Sequence, residues 1–188
     1  MSIVQASDPV LDLFDPLISR WFAAEVGPPT DIQAKAWPPI ISGEHVLLCA
    51  PTGSGKTLTA FLWAINQLVT GDWEGGRTHV LYISPLKALN TDIRRNLLLP
   101  LARLEQVFTE QGRPFPPVRV QTRSGDTPQT DRRRMLRQPP EILITTPESL
   151  NLMLSSLGGR TILQSLSTVI LDEIHTVVNS KRGVHLIT

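Results

Sequence analysis

The stretch Ala50-Pro51-Thr52-Gly53-Ser54-Gly55-Lys56-Thr57 constrains this chain more than any other. It follows an apolar run, His45-Val46-Leu47-Leu48-Cys49, and precedes a helix-like run from Leu58 to Leu68. Strand, glycine-rich loop and helix, in that order, form the setting of a phosphate-binding loop. Gly53 and Gly55 permit backbone dihedrals and a close approach that a Cβ would block. The loop N–H groups then point inward as an anion-binding nest, and the following helix aims its positive end at the same place. In this reading Thr52, Gly53, Ser54, Gly55, Lys56 and Thr57 bind nucleotide. Lys56 reaches the β- and γ-phosphates and the Thr57 hydroxyl ligates Mg²⁺. Ala50 stands where the pattern usually opens with glycine, while the Gly-Lys-Thr core is intact.

A second motif lies at the end of another apolar run. Thr168-Val169-Ile170-Leu171 is followed by Asp172-Glu173-Ile174-His175. Asp172 is expected to hold Mg²⁺ directly or through water, and Glu173 to orient and deprotonate an attacking water. Three more runs read as strands: Val80–Ile83, Val118–Thr122 and Ile142–Thr145. With His45–Cys49 that makes five apolar, β-branched strands alternating with helical segments. The pattern predicts an α/β fold, a mostly parallel sheet with helices on both faces. Ligands of such sheets bind beyond the carboxyl ends of the strands, where both motifs sit.

Helices are expected over Leu11–Phe22, from Asp31 after a Thr30 cap, from Ser84 past Asn90 toward Phe108, over Asp126–Leu136, and from Pro147 to Leu154. Pro38-Pro39 is expected to bracket a connection, and Arg132-Arg133-Arg134 to form a solvated basic face. A chain of 188 residues is long enough for a sizeable core. Its net charge of +1 gives no global attraction for nucleic acid, so any basic binding surface is local. Cys49, the one cysteine, reads as a buried structural thiol. No apolar run is long enough to span a membrane and no signal peptide is evident, so a cytoplasmic location is expected.

Taken together, these motifs resemble the superfamily 2 DExH-box helicases. Further stretches resemble the large helicase-related (Lhr) branch. They include Pro29-Thr30-Asp31-Ile32-Gln33, Tyr82-Ile83-Ser84-Pro85-Leu86-Lys87-Ala88-Leu89, Gly125-Asp126-Thr127-Pro128 and Ile144-Thr145-Thr146-Pro147-Glu148-Ser149-Leu150. The resemblance implies a RecA-like P-loop NTPase domain that binds ATP and Mg²⁺, with single-stranded or partly duplex DNA or RNA as partner. Residues 1–10 are then a disordered N-terminus, 11–44 a helical Q-motif-like region, and 45–188 an incomplete RecA-like ATP-binding domain.

The resemblance also implies residue roles. Gln33 corresponds to the glutamine that reads adenine, and its amide offers the donor and acceptor that the N6/N7 edge requires. An upstream aromatic stacks on the base, with Phe14 the choice and Trp21 or Phe22 the alternatives. Pro85 and Lys87, Gly125 and Asp126, and Thr146 and Pro147 correspond to contacts with the nucleic-acid backbone. His175 corresponds to a residue coupling ATP state to a later motif.

That later motif and a second RecA-like domain with its arginine fingers do not occur in the sequence. The chain is therefore expected to be the C-terminally truncated front part of a motor. By itself it is expected to fold poorly and not to unwind duplexes. Three readings follow: the ATP-binding segment of an Lhr-like helicase, a different phosphate-loop enzyme such as a small-molecule kinase, and an inactive remnant that at most binds nucleotide or nucleic acid.

Overall fold

A computed structural model describes residues 8–51, 53–84 and 93–176. The chain divides into two compact units, one of residues 1–70 and 96–115, the other of residues 71–95 and 116–188. Among the described residues no helix is long and apolar enough to cross a membrane.

The first unit is helical. A short 3₁₀ turn, Pro9–Leu13, leads into α1 (Pro16–Glu25), followed by α2 (Asp31–Ile41), α3 (Lys56–Thr70) and α4 (Leu99–Glu110). The single helix expected over Leu11–Phe22 is thus two pieces. Asp15 separates them, because its carboxylate caps α1 by accepting the Leu17 N–H at 2.9 Å and Pro16 opens the helix. Asp15 also forms a two-pronged ion pair with Arg113, at 2.8 and 2.9 Å. Helix α2 runs through Pro38-Pro39, where a connection was expected. The prolines fall in its last turn, and their carbonyls still accept N–H groups from Ser42 and Glu44 at 3.0 and 2.9 Å. Phe14, Phe22 and Trp37 meet edge to face at the centre, with Trp37–Phe14 and Trp37–Phe22 centroids 4.9 and 5.4 Å apart. Burying each such ring contributes about 1.5–3 kcal/mol.

Residues 44–51, between α2 and the loop, form no regular structure. The expected first strand is therefore absent: Val46 and Leu47 are exposed and so is Cys49, which corrects its reading as a buried thiol. An extended segment becomes a strand only when a neighbour takes up its backbone groups, and among the described residues none does.

Among the described residues, the second unit holds a four-stranded parallel sheet in the order β2-β3-β1-β4. The strands are β1 (Val80–Ile83), β2 (Val120–Arg123), β3 (Ile142–Thr145) and β4 (Thr168–Leu171). Helices α5 (Gln129–Arg137), α6 (Pro147–Leu154) and α7 (Leu157–Leu163) complete it. On one face Leu81, Ile83 and Leu143 pack with Met135, Leu150, Met153 and Ile162 from these helices. On the other, Val80, Tyr82, Ile142 and Ile144 are also buried, as continuous apolar runs predict for a parallel sheet. The two edge strands are the exceptions: β2 pairs only with β3 and is half-buried to exposed, and β4 pairs with β1 on one side only among the described residues and leaves Val169 and Leu171 exposed at 52% and 45%.

A buried carboxylate ties the opposite end of this sheet together. Glu141, just before β3, is 2% exposed. Its oxygens accept N–H groups from Gly76 and Arg119, each at 2.7 Å, and the Arg119 guanidinium at 2.9 and 3.2 Å. Burial by itself would raise its pKa. The Arg119 guanidinium and the backbone N–H groups outweigh that and hold it below the ordinary carboxylate value. A lowered folded-state pKa contributes stability above the unfolded-state pKa, and that stability is lost as pH falls through the folded-state value. Urea melts of the full chain from about pH 7 down to pH 3 should show this loss, beginning below about pH 4.5. Glu141→Gln should cost about 1–3 kcal/mol at neutral pH and flatten that slope. An unchanged slope in the variant would place the acid sensitivity elsewhere.

Candidate functional site

In the first unit the glycine-rich loop is built from behind by α2. Gly53 and Gly55 both have φ of +84°, the left-handed region that favours glycine. Lys56 begins α3, and its ammonium group donates to the loop's own carbonyls, to Pro51 at 2.7 Å and to Ala50. Thr57, half-buried, occupies the first turn. Thr59 locks helix to loop: its N–H and hydroxyl both donate to the Gly55 carbonyl, at 2.9 and 2.8 Å. Two contacts then fix α2 against this unit. The Trp37 indole donates to the Thr59 carbonyl at 3.1 Å, and the Thr30 hydroxyl to the Ser54 carbonyl at 3.2 Å. The Ser54 hydroxyl is itself buried and has no partner among the described residues. Thr52 lies outside the described residues.

Gln33 is 2% exposed and faces the loop. Its carbonyl oxygen accepts the Thr30 N–H at 2.9 Å, which caps α2. Its amide nitrogen lies against Gly55, so closely that a Cβ there would come within 2.7 Å of it. Glycine at that position is thus required twice, by backbone conformation and by the glutamine behind it. Phe14 takes a different place from the one expected. It is 6% exposed, edge-on to Trp37 at 4.9 Å and to Trp63 at 6.2 Å, which makes it a core residue with no open face for a base. Trp21 and Phe22 are buried as well.

In the second unit, parallel pairing puts the carboxyl ends of all four strands in one row. Ile83 stands opposite both Thr145 and Leu171, and Thr145 opposite Arg123. Asp172 follows β4 and donates its N–H to the Ile83 carbonyl at 2.9 Å. The Tyr82 hydroxyl donates to one carboxylate oxygen of Asp172, and the Glu173 N–H donates to the other at 2.9 Å. These bonds hold Glu173 at φ +51°, a conformation that costs a non-glycine residue about 1–2 kcal/mol. Strain of this kind concentrates at functional sites. The exposed His175 ring lies 3.2 Å from the Glu173 carboxylate, an ion pair whenever the imidazole is protonated.

The expected backbone-contact residues divide by environment. Pro85 and Lys87 lie outside the described residues. Gly125 and Asp126 are exposed in a turn closed by the Ser124 N–H on the Thr127 hydroxyl at 2.8 Å and the Thr127 N–H on the Ser124 carbonyl at 3.3 Å. Thr146 and Pro147 are buried at the start of α6, where the Thr146 hydroxyl accepts the Ser149 N–H at 3.3 Å and so serves as a cap. Arg132 is misread from sequence as part of a solvated face. Its guanidinium donates to the carbonyls of Thr127, Ser124 and Gly125 at 2.9, 3.2 and 2.8 Å, closing the turn from the α5 side. The available signal was its position one turn into a helix that follows a glycine-containing loop. Among the described residues no group of three or more His, Cys, Asp or Glu residues is arranged to hold a metal.

Comparison with known proteins gives a consistent result. The profile of the DEAD/DEAH box helicase family matches residues 30–188. The Lhr helicase/probable uracil glycosylase of Mycolicibacterium smegmatis is 51% identical over 181 residues, which is 96% of this chain and 12% of that protein. The Lhr helicase/uracil glycosylase of Escherichia coli is 46% identical over 182 residues, 93% of this chain and 12% of its own length. A solved structure of Mycobacterium smegmatis helicase Lhr bound to ssDNA and AMP-PNP superposes with a TM-score of 0.87 at 50% identity, covering 95% of this chain and 22% of that one. The chain thus spans about an eighth of the length of these two curated relatives.

Proposed function

This chain belongs to the DEAD/DEAH box helicase family, and from that premise we propose that it is the ATP-binding segment of an Lhr-like ATP-dependent DNA/RNA helicase. In the complete protein it couples ATP hydrolysis to movement along nucleic acid, opposite a second RecA-like domain. Residues 11–44 serve as the Q-motif-like region and 45–188 as part of the ATP-binding domain. The setting we infer is cytoplasmic DNA repair. The observation that carries the reading is the loop itself: two left-handed glycines, Lys56 at the head of α3, and Gln33 packed behind Gly55. A kinase of small molecules has no use for that glutamine.

Residues 52–57 wrap the phosphates and Lys56 neutralises their charge. Thr57 and Asp172 offer a hydroxyl and a carboxylate, the hard oxygen donors that Mg²⁺ prefers. The Asp172 carboxylate suits that use, since Tyr82 and Glu173 each take one lone pair and fix its direction while leaving others free. When bound, the ion offsets negative charge on the phosphates. Glu173 accepts a proton from the attacking water, and His175, at its carboxylate, passes on the state of the site. Gly125 and Asp126 meet the nucleic-acid backbone directly. Thr146 and Pro147 act through the α6 N-terminus that they shape, and Pro85 and Lys87 complete the strand-end row.

The test is ATPase activity of the full-length protein with and without single-stranded oligonucleotide. Stimulation supports the reading, whereas hydrolysis indifferent to DNA and RNA would count against it. Gln33 gives a second handle. Gln33→Ala should raise the KM for ATP and relax the preference for ATP over GTP. Its lost cap on Thr30 should also cost about 0.5–2 kcal/mol. Gln33→Glu retains an acceptor for Thr30 and loses the donor to adenine N7, so selectivity should relax; it also buries a carboxylate, so stability should fall. Unchanged selectivity in both variants would remove Gln33 from base recognition.

A further inference from the structure

In the second unit the candidate residues sit at the carboxyl ends of the strands, and the helices lead away from them. In a parallel sheet a connecting helix leaves the carboxyl end of one strand and returns the chain to the amino end of the next. Helix α5 joins β2 to β3, and α6 starts at Thr146, just past β3. Both helices therefore finish at the amino end of the sheet, away from Thr145 and Asp172. Three leucines are exposed there: Leu136 near the end of α5, Leu154 at the end of α6, and Leu157, 76% exposed, at the start of α7.

Two contacts join them at one corner. Leu136 lies on Gly158, so closely that a Cβ there would come within 2.9 Å of its Cδ2. The Arg160 guanidinium reaches back across the link between α6 and α7 and donates to the Leu154 carbonyl at 3.0 Å. Cations rim the leucines. At 3.6 residues per turn, Leu136, Arg133 and Arg137 share about 100° of the exposed side of α5. Among the described residues neither Arg133 nor Arg137 forms an ion pair. Residues 129–164 contain five arginines, no lysine and three acids. None of the acids offsets this rim. Glu141 is buried against Arg119, Asp131 lines a cleft beside Gln121 of β2, and Glu148 is in the first turn of α6, at the other end of that helix.

An apolar centre with a cationic rim defines its complement. A phosphate backbone laid across it would strand charge over hydrocarbon. A helix with an apolar stripe at i, i+3, i+4 and i+7 covers leucines, and carboxylates beside the stripe meet guanidinium groups in two-pronged pairs. We propose that the α5–α7 corner docks an acidic amphipathic helix of a partner protein. Its apolar stripe covers Leu136, Leu154 and Leu157, and its carboxylates meet Arg133, Arg137 and Arg160. A partner held at the amino end of the sheet leaves the strand-end row uncovered. The surface goes beyond the helicase reading and does not depend on it.

Anisotropy of a fluorescein-labelled helical peptide of glutamate, alanine and leucine, with leucines at i, i+3, i+4 and i+7, titrated with the full-length protein, tests this. The peptide should bind. Its isomer with scattered leucines and its analogue with lysine for glutamate should not. Leu157→Asp should weaken binding by about tenfold or more. The double variant Arg133→Glu, Arg137→Glu should weaken it about tenfold at low salt and less at high salt. Both variants alter exposed side chains, so the melting midpoint, ATP hydrolysis and oligonucleotide binding should stay at wild-type values. Failure of the acidic peptide to bind, or equal binding of the scattered isomer, would overturn the proposal. Loss of oligonucleotide affinity in the charge-reversed variant would assign the arginines to nucleic acid. Binding to phosphatidylserine vesicles that Leu157→Asp removes would assign the leucines to a membrane. Either result overturns the proposal as well.

Discussion

Lys56→Ala abolishes ATP hydrolysis and duplex unwinding in the full-length protein, while single-strand binding survives. Lys56 is the only side-chain cation in residues 50–57, and it stands at the positive end of α3. Removing one preorganised charge from a phosphoryl-transfer site costs on the order of 10²–10³ in turnover. The candidate nucleic-acid residues belong to other stretches of the chain, so affinity for an oligonucleotide should change little. The structure adds a detail. The Lys56 ammonium is held by the Ala50 and Pro51 carbonyls, and alanine removes that tie as well. Lys56→Arg tests this separation, because it restores charge without restoring the compact ammonium that fits between those carbonyls. Phosphate release and oligonucleotide anisotropy on the same preparation decide the matter. Wild-type hydrolysis in Lys56→Ala would dismiss the loop as a catalytic element.

Glu173→Gln retains Mg-ATP binding and loses turnover by about 10²–10⁴. The substitution keeps shape and removes the proton acceptor. It also keeps the backbone N–H that bonds Asp172, so the left-handed conformation at this residue should persist. A loss of turnover at constant nucleotide affinity identifies a base. A collapse of affinity with normal turnover per bound ATP would make Glu173 a ligand instead.

Three strands were legible to the residue. Val80–Ile83, Ile142–Thr145 and Thr168–Leu171 are short apolar runs with β-branched residues, and each is bounded by polar or breaking residues. Helix Pro147–Leu154 was equally plain, because Pro147 falls at its first position. What escaped depends on long-range neighbours. His45–Cys49 has a strand's composition, but composition does not supply a pairing partner. Helix α7 was hidden by Gly158-Gly159, which reads as a breaker. Its second glycine is there for contact, since a Cβ on Gly159 would lie 2.2 Å from the Met153 carbonyl oxygen. Phe14 escaped for the same reason in reverse: the family resemblance suggested an aromatic that stacks on a base, and only the positions of Trp37 and Trp63 reveal Phe14 as core. Within the site, the glycine-rich loop follows no strand, because residues 44–51 form no regular structure, but the place of Asp172 and Glu173 at a strand end was readable. The bonds that aim them were not. Tyr82 on Asp172 spans a separation of 90 residues that no local pattern encodes.

The unpaired side of β4 recognises neither ancestry nor chain membership. Its N–H and C=O groups, unpaired among the described residues, accept any extended segment of suitable length, and Val169 and Leu171 reward an apolar one. Occupancy of that seat is therefore a race. A segment tethered to the same polypeptide competes at an effective concentration that its linker fixes, whereas a stranger competes at whatever concentration it happens to have. Dilution favours the tethered segment and crowding favours the stranger. The same four residues that complete a sheet in one circumstance thus begin an aggregate in another, and the order of arrival decides between them.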